Sequence, residues 1–118
     1  MFNFEKLEVW QKVRVLVNDV YKTTKSFPVD ERFGLTMHLR KTVVSIQSNI
    51  SEGCSRRSKK DFQRFIEIAL GSTYEFVSQI FVAKDSDLLS EEYFLKWYNK
   101  SSSISQMLSA LSKSLDKR

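Results

Sequence analysis

Between Arg40 and Glu75, apolar residues recur at helical spacing on both sides of a short basic turn. Leu35, Leu39, Val43, Ile46 and Ile50 make one stripe. Phe62, Phe65, Ile66, Ala69, Thr73, Phe76, Val77 and Ile80 make the next. Steps of three and four residues are the period of a helix with one buried face. Two such helices joined by so few residues fold back on each other and bury their stripes together.

The flanking segments repeat the pattern. A first helix is expected from Lys6 to Ser26, with Trp10, Val13, Val17, Val20 and Thr24 as its seam and Leu7, Leu16 and Tyr21 widening it. Phe27-Pro28 ends it, because the residue before a proline is driven out of the helical region. Asp30 is placed to cap the second helix, with Glu31 in its first turn. Gly53 is placed to end that helix, since glycine accepts a left-handed C-cap. Ser58 caps the third helix, and Asp61 three residues on resembles a capping box. Gly71-Ser72 falls mid-helix, where glycine costs about 1 kcal/mol against alanine. Close approach of a neighbouring helix is the simplest compensation, and a kink the alternative. Ser90 caps the fourth helix, whose seam is Phe94, Trp97, Ile104, Leu108, Leu111 and Leu115. Ser101, Ser102 and Ser103 interrupt that seam and should weaken it.

The fold class expected is all-α: an antiparallel up-down-up-down four-helix bundle, one domain spanning residues 1–118. Three glycines and one proline are too few to turn an all-β chain. The N-terminal residues mix charges with apolar groups, unlike a secretory signal, and no apolar run is long enough to span a bilayer. A single cysteine, Cys54, forms no internal disulfide and fits a reducing cytoplasm. One histidine, His38, and one cysteine cannot make a Cys/His zinc site within one chain. Neither a metal nor another cofactor is expected.

The net charge is +5, and all of it falls between Arg40 and Arg64. Up-down threading brings the N-terminus, the second turn and the C-terminus to one end, gathering Arg56, Arg57, Lys59, Lys60, Arg64, Lys113, Lys117 and Arg118. The other end gathers Asp30, Glu31, Asp85, Asp87, Glu91 and Glu92, offset by Lys25 and Arg32. The best functional candidate is therefore the basic turn: Arg56, Arg57, Lys59, Lys60 and Arg64. A helix begins there, so free N–H groups and the helix dipole add to the side-chain charge and suit phosphate. No base-reading signature is present, so contacts with RNA or DNA should be to the backbone. The plain alternative is a solvated charge run.

A second set, Arg40, Ser45, Asn49, Glu52, Ser72 and Glu75, lies at helical spacing on the two central helices. It reads as a hydrogen-bonded network between those helices or between subunits, with Arg40 or Arg57 meeting a carboxylate. A buried Glu52 would then cost about 3–5 kcal/mol to remove. A catalytic reading fails: His38 lies seven residues before Ser45, and no second base is placed to activate a serine. Nor do Glu52 and Glu75 alone specify a divalent cation. Trp10, Phe62, Phe65, Phe76 and Trp97 fall on apolar stripes and belong to the core. Tyr21, Tyr93 and Tyr98 could edge a subunit interface. Cys54 beside Arg56 and Arg57 could have a lowered pKa.

Several stretches together resemble the 23S rRNA intervening-sequence protein family. They are Phe4-Glu5-Lys6-Leu7-Glu8-Val9-Trp10-Gln11-Lys12; Phe27-Pro28 with Glu31-Arg32-Phe33-Gly34-Leu35; Arg40 and Val44-Ser45-Ile46; Asn49-Ile50-Ser51-Glu52-Gly53 with Arg57; and Phe65, Ile68-Ala69 and Gly71-Ser72 with Glu75. The chain departs from the family pattern at His38, Val43 and Cys54-Ser55. The resemblance implies a four-helix bundle that assembles with itself, as a homo-pentamer. It is similar, too, to the accessory variability protein of diversity-generating retroelements, a basic ring that binds nucleic acid and a reverse transcriptase. The expected function is thus a non-enzymatic oligomer whose basic end binds RNA, DNA or a nucleic-acid-associated protein. The alternative is a structural or scaffolding oligomer that docks an acidic protein partner.

Overall fold

The computed structural model describes residues 1–116. Four helices carry the fold: α1 (Glu8–Thr24), α2 (Leu35–Cys54), α3 (Lys59–Asp85) and α4 (Glu91–Ser114). Each packs on its neighbours in chain order, and α4 closes back on α1, while the diagonal pairs stay apart. This is the antiparallel up-down-up-down bundle, 48 Å along its long axis. Among the described residues no helix is long and apolar enough to cross a membrane.

The core follows the stripes. Val9, Val13, Leu16 and Val20 come from α1, Leu39, Val43, Ile46 and Ile50 from α2, Ile66, Ala69, Phe76 and Ile80 from α3, and Phe94, Trp97, Ile104 and Leu108 from α4. Each large side chain so buried is worth about 1.5–3 kcal/mol of transfer free energy. Two indoles add direction. Trp97 Nε1–H donates to Asp19 at 2.6 Å, fixing α4 to α1, and Trp10 Nε1–H donates to Ser51 at 2.9 Å, fixing α1 to α2.

Three expectations about helix ends are corrected. Helix α1 starts at Glu8, because Asn3–Lys6 forms a 3-10 turn and Leu7 is extended. That turn is held by Gln11, which donates to the Glu5 carbonyl, and by the Phe4 ring packed on Trp10 at 4.9 Å. Asp30 does not cap α2. It sits in a second 3-10 turn, Val29–Glu31, and Glu31 instead accepts from the Leu35 N–H at 3.2 Å. Gly53 is not a left-handed cap either. No described glycine has positive φ, and α2 runs through Gly53 to Cys54. Gly53 is buried, and a Cβ there would lie 2.9 Å from the Phe62 ring and 3.1 Å from the Phe65 Cβ. Close approach of α3, not backbone freedom, explains this glycine.

Gly71 is the reverse case. It is exposed, no described residue beyond its own helical turn lies within 4 Å of where its Cβ would be, and α3 is continuous through it. No neighbouring helix of the same chain compensates for it. The serine run in α4 does not break the helix: Ser101 takes the seam position between Trp97 and Ile104 and is fully buried. Ser58 and Ser90 cap as expected, accepting from the N–H groups of Asp61 and Tyr93. Helix α3 ends with Asp87 left-handed at φ 61. The Leu88 and Asp87 N–H groups return to the Ala83 and Lys84 carbonyls, the 6→1 and 5→2 pair of a Schellman ending.

Candidate nucleic-acid interface

The second turn is held from three directions. Ser55 Oγ–H donates to the Glu52 carbonyl. Asn3 Nδ2 donates to the Cys54 carbonyl at 3.0 Å, bringing the N-terminal segment alongside. Gln63 on α3 donates to the Ser112 carbonyl and to Asp116 at 2.8 and 2.7 Å, bringing in the end of α4. The three segments therefore share one pole, as up-down threading requires.

The five basic candidates divide there. Arg56 pairs with Glu52, lies 3.8 Å from Asp61 and rests over the Phe65 ring at 4.7 Å. Arg64 bonds Asp61 at 3.0 Å and rests over the same ring at 4.4 Å. Asp61 is thus a bridge between two arginines, and its capping position hid that role. The i,i+3 spacing of Asp61 and Arg64 was the available signal. Arg57, Lys59 and Lys60 are exposed, and among the described residues no carboxylate pairs with them. The Lys59 and Lys60 N–H groups precede the first intrahelical bond, leaving them open toward solvent. Glu67 and Asp116 share the pole with Glu52 and Asp61, so it is less uniformly positive than its arginines and lysines suggest. Lys113 is exposed there, and Lys117 and Arg118 lie outside the described residues.

A model of the 23S rRNA-intervening sequence protein family matches residues 5–110, from the first 3-10 turn almost to the end of α4. The chain belongs to that family. A solved structure is similar as well: a protein of unknown function from the S23 ribosomal protein family of Bacteroides thetaiotaomicron. It superposes with a TM-score of 0.83 at 21% identity, covering 89% of this chain and 95% of that one. At that identity the likeness shows the fold alone. No curated protein matches.

In this member of the intervening-sequence family the polar set of the two central helices is not one network within the chain. Ser45 and Ser72 share a hydrogen bond of 3.0 Å across α2 and α3, and Asn49 donates to the Ser45 carbonyl and hydroxyl. The other three go elsewhere. Arg40 turns to α1, donating to Thr24 Oγ1 at 2.9 Å and to the Tyr21 carbonyl at 3.2 Å. Glu52 is exposed beside Arg56. Glu75 is exposed and accepts a long 3.5 Å bond from Gln79. The cost expected for a buried Glu52 does not apply, because water already solvates its carboxylate. Nor do Glu52 and Glu75 meet: Ser45 opposite Ser72 fixes the antiparallel register and leaves them at different levels of the bundle.

His38 is exposed, and the Ser45 hydroxyl is engaged by Ser72 and Asn49. The expected lowering of the Cys54 pKa is reversed: burial pushes the thiol above its ordinary value, since the two arginines beside it in sequence turn to Glu52 and to solvent.

Proposed function

We propose that this protein is a non-enzymatic homo-oligomer of the cytoplasm that binds the sugar–phosphate backbone of nucleic acid at the pole containing the α2–α3 turn. One observation carries the reading: Arg57, Lys59 and Lys60 stand exposed and, among the described residues, without an ion pair where α3 begins with open N–H groups. Cations and a helix start favour the same ligand, an anionic oxygen. Arg56 and Arg64 support the turn by fixing Asp61 and Phe65, and they contribute less to the ligand. Recognition through phosphates gives affinity with little sequence preference.

Self-association is supported by the outer side of α3. Gly71, Tyr74, Ser78 and Phe81 share a stripe and are exposed, with Leu95 and Tyr98 exposed on α4 beside them. A helix from a second copy laid over Gly71 would supply the close neighbour that the chain itself does not. Five copies closed in a ring would add their fields on one face.

Electrophoretic shift of a structured RNA at two salt concentrations, with native mass measured in parallel, tests this. Wild type should bind with a steep salt dependence. The triple replacement Arg57→Ala, Lys59→Ala and Lys60→Ala should weaken binding and flatten that dependence by about three phosphate contacts. Unchanged binding by the triple variant, or a salt-insensitive complex, would count against the turn. A monomeric mass would remove the ring.

A further inference from the structure

The cations with no carboxylate partner are not confined to the turn. Ion pairs occupy Arg56, Arg64, Lys84 and Lys96, all on the turn, α3 or α4 or the segments joining them. On α1 and α2 the balance is different. Among the described residues, Lys12, Arg14, Lys22, Lys25, Arg40 and Lys41 have no carboxylate within 4.0 Å. Of the acids of these two helices two are engaged elsewhere, and Glu8, one turn from Lys12, makes no ion pair with it among the described residues. Asp19 is bound to Trp97 and Lys96 on the α4 side, Glu52 is bound to Arg56 at the turn, and Glu8 stands at the start of α1.

A shallow groove runs along α1 beside α2, lined by Gln11, Arg14, Val15, Val17, Asn18 and Tyr21 of α1 and Gln47 of α2. Gln11, Arg14, Asn18 and Tyr21 of α1 and its C-cap residue Lys25 repeat at steps of three and four, so they form one stripe along the helix. It is about 21 Å long at the helical rise. Its composition is two cations, two amides and a partly exposed tyrosine, with the half-buried Val17 beneath. Both arginines are held without being neutralised. Arg40 lies over the Tyr21 ring at 4.7 Å, anchored by a hydroxyl and a carbonyl; Arg14 lies over Trp10 at 5.8 Å.

We infer that this α1–α2 groove is a binding surface for single-stranded nucleic acid. Cations that follow a backbone, next to a guanidinium plane stacked on a partly exposed tyrosine (Arg40 on Tyr21), are a combination on which a single strand can lay a base. The three amides offer donors and acceptors to base edges without adding charge. A duplex hides its base faces and would use only the cations. The inference rests on the proposal that the ligand is nucleic acid, and it moves the principal contact from the turn to the groove.

Anisotropy of a labelled single-stranded RNA of about 12 nucleotides, measured at two salt concentrations, tests it. The double variant Arg14→Glu, Lys25→Glu should lose at least about tenfold in affinity and show a flatter salt dependence. Tyr21→Ala should lose about tenfold with its salt dependence unchanged, since a stacking platform and not a charge is removed. Melting followed by circular dichroism checks that the variants fold. Should the double variant be unfolded, Lys22→Glu on the same exposed helix face repeats the charge test. Ultraviolet cross-linking of bound RNA should mark the peptide containing Tyr21. Loss confined to the Arg57, Lys59 and Lys60 variants, with cross-links only at the turn, overturns the groove and leaves the turn. Loss confined to the groove variants supports the groove and overturns the turn. Equal affinity for the matching duplex, or for anionic phospholipid vesicles, overturns the single-strand assignment. No binding to any polynucleotide overturns both readings.

Discussion

Helix α3 has two flanks, and they are closed by opposite means. Toward α2 the contact is made by small groups. Gly53 lets the Phe62 and Phe65 side chains reach the α2 backbone, and Ser45 and Ser72 meet hydroxyl to hydroxyl. Toward α4 the contact is made by rings. Phe76 and Trp97 lie 6.0 Å apart, and Phe81 and Phe94 meet edge-on at 4.8 Å. Beyond these rings the contact is looser, and a groove opens beside Thr73, Tyr74, Tyr98 and Ser101. Among the described residues the Ser101 hydroxyl has no partner, whereas Ser45 and Ser72 satisfy each other. Side-chain size sets helix separation, and separation decides which hydroxyls can meet.

The strongest test of the ring-filled flank is Trp97→Ala. It empties the largest fully buried side chain and leaves Asp19 without its indole donor. Urea unfolding followed by circular dichroism should show a loss of about 3–5 kcal/mol. A loss under about 1 kcal/mol would mean that the rings do not carry that flank. On the other side, Gly53→Ala forces a methyl group against Phe62 and should cost about 1–3 kcal/mol by thermal melting. A neutral result would break the small-group account of the α2 flank.

Ser101→Ala should be stabilising by about 1 kcal/mol in the same assay, since it removes a buried hydroxyl with no bond to lose. Destabilisation would show that this hydroxyl is in use, and the two flanks would then differ less. Gly71→Ala, on neither flank, should stabilise the isolated helix by about 0.5–1 kcal/mol. Sedimentation velocity sharpens this one: weaker self-association would place a second copy over Gly71. The smallest effect is expected for Glu52→Ala, a loss of about 0.2–1 kcal/mol, because the pair with Arg56 is solvent-exposed.

The charge distribution teaches a related lesson. In the chain order, basic residues crowd from Arg40 to Arg64, and the turn is the obvious site. Folded, the turn supplies its own acids, with Asp61 alone engaging two of the five candidates. The α1–α2 face has a lower density of basic residues in the sequence, yet among the described residues none of its cations forms an ion pair. A count along the chain records how many charges there are and not which of them have partners.

Periodicity alone was enough for four helices, their buried faces, the capping serines Ser58 and Ser90, and the threading that brings the second turn to the pole shared by both ends of the chain. These depend on residues three or four apart, and the spacing is written in the chain. The use of Gly53, the freedom of Gly71, the turn of Arg40 toward Tyr21 and the raised pKa of Cys54 depend on what another helix places within a few ångströms. Only packing decides that distance. A glycine that ends a helix and a glycine that admits a neighbour's ring look the same until the neighbour is in place.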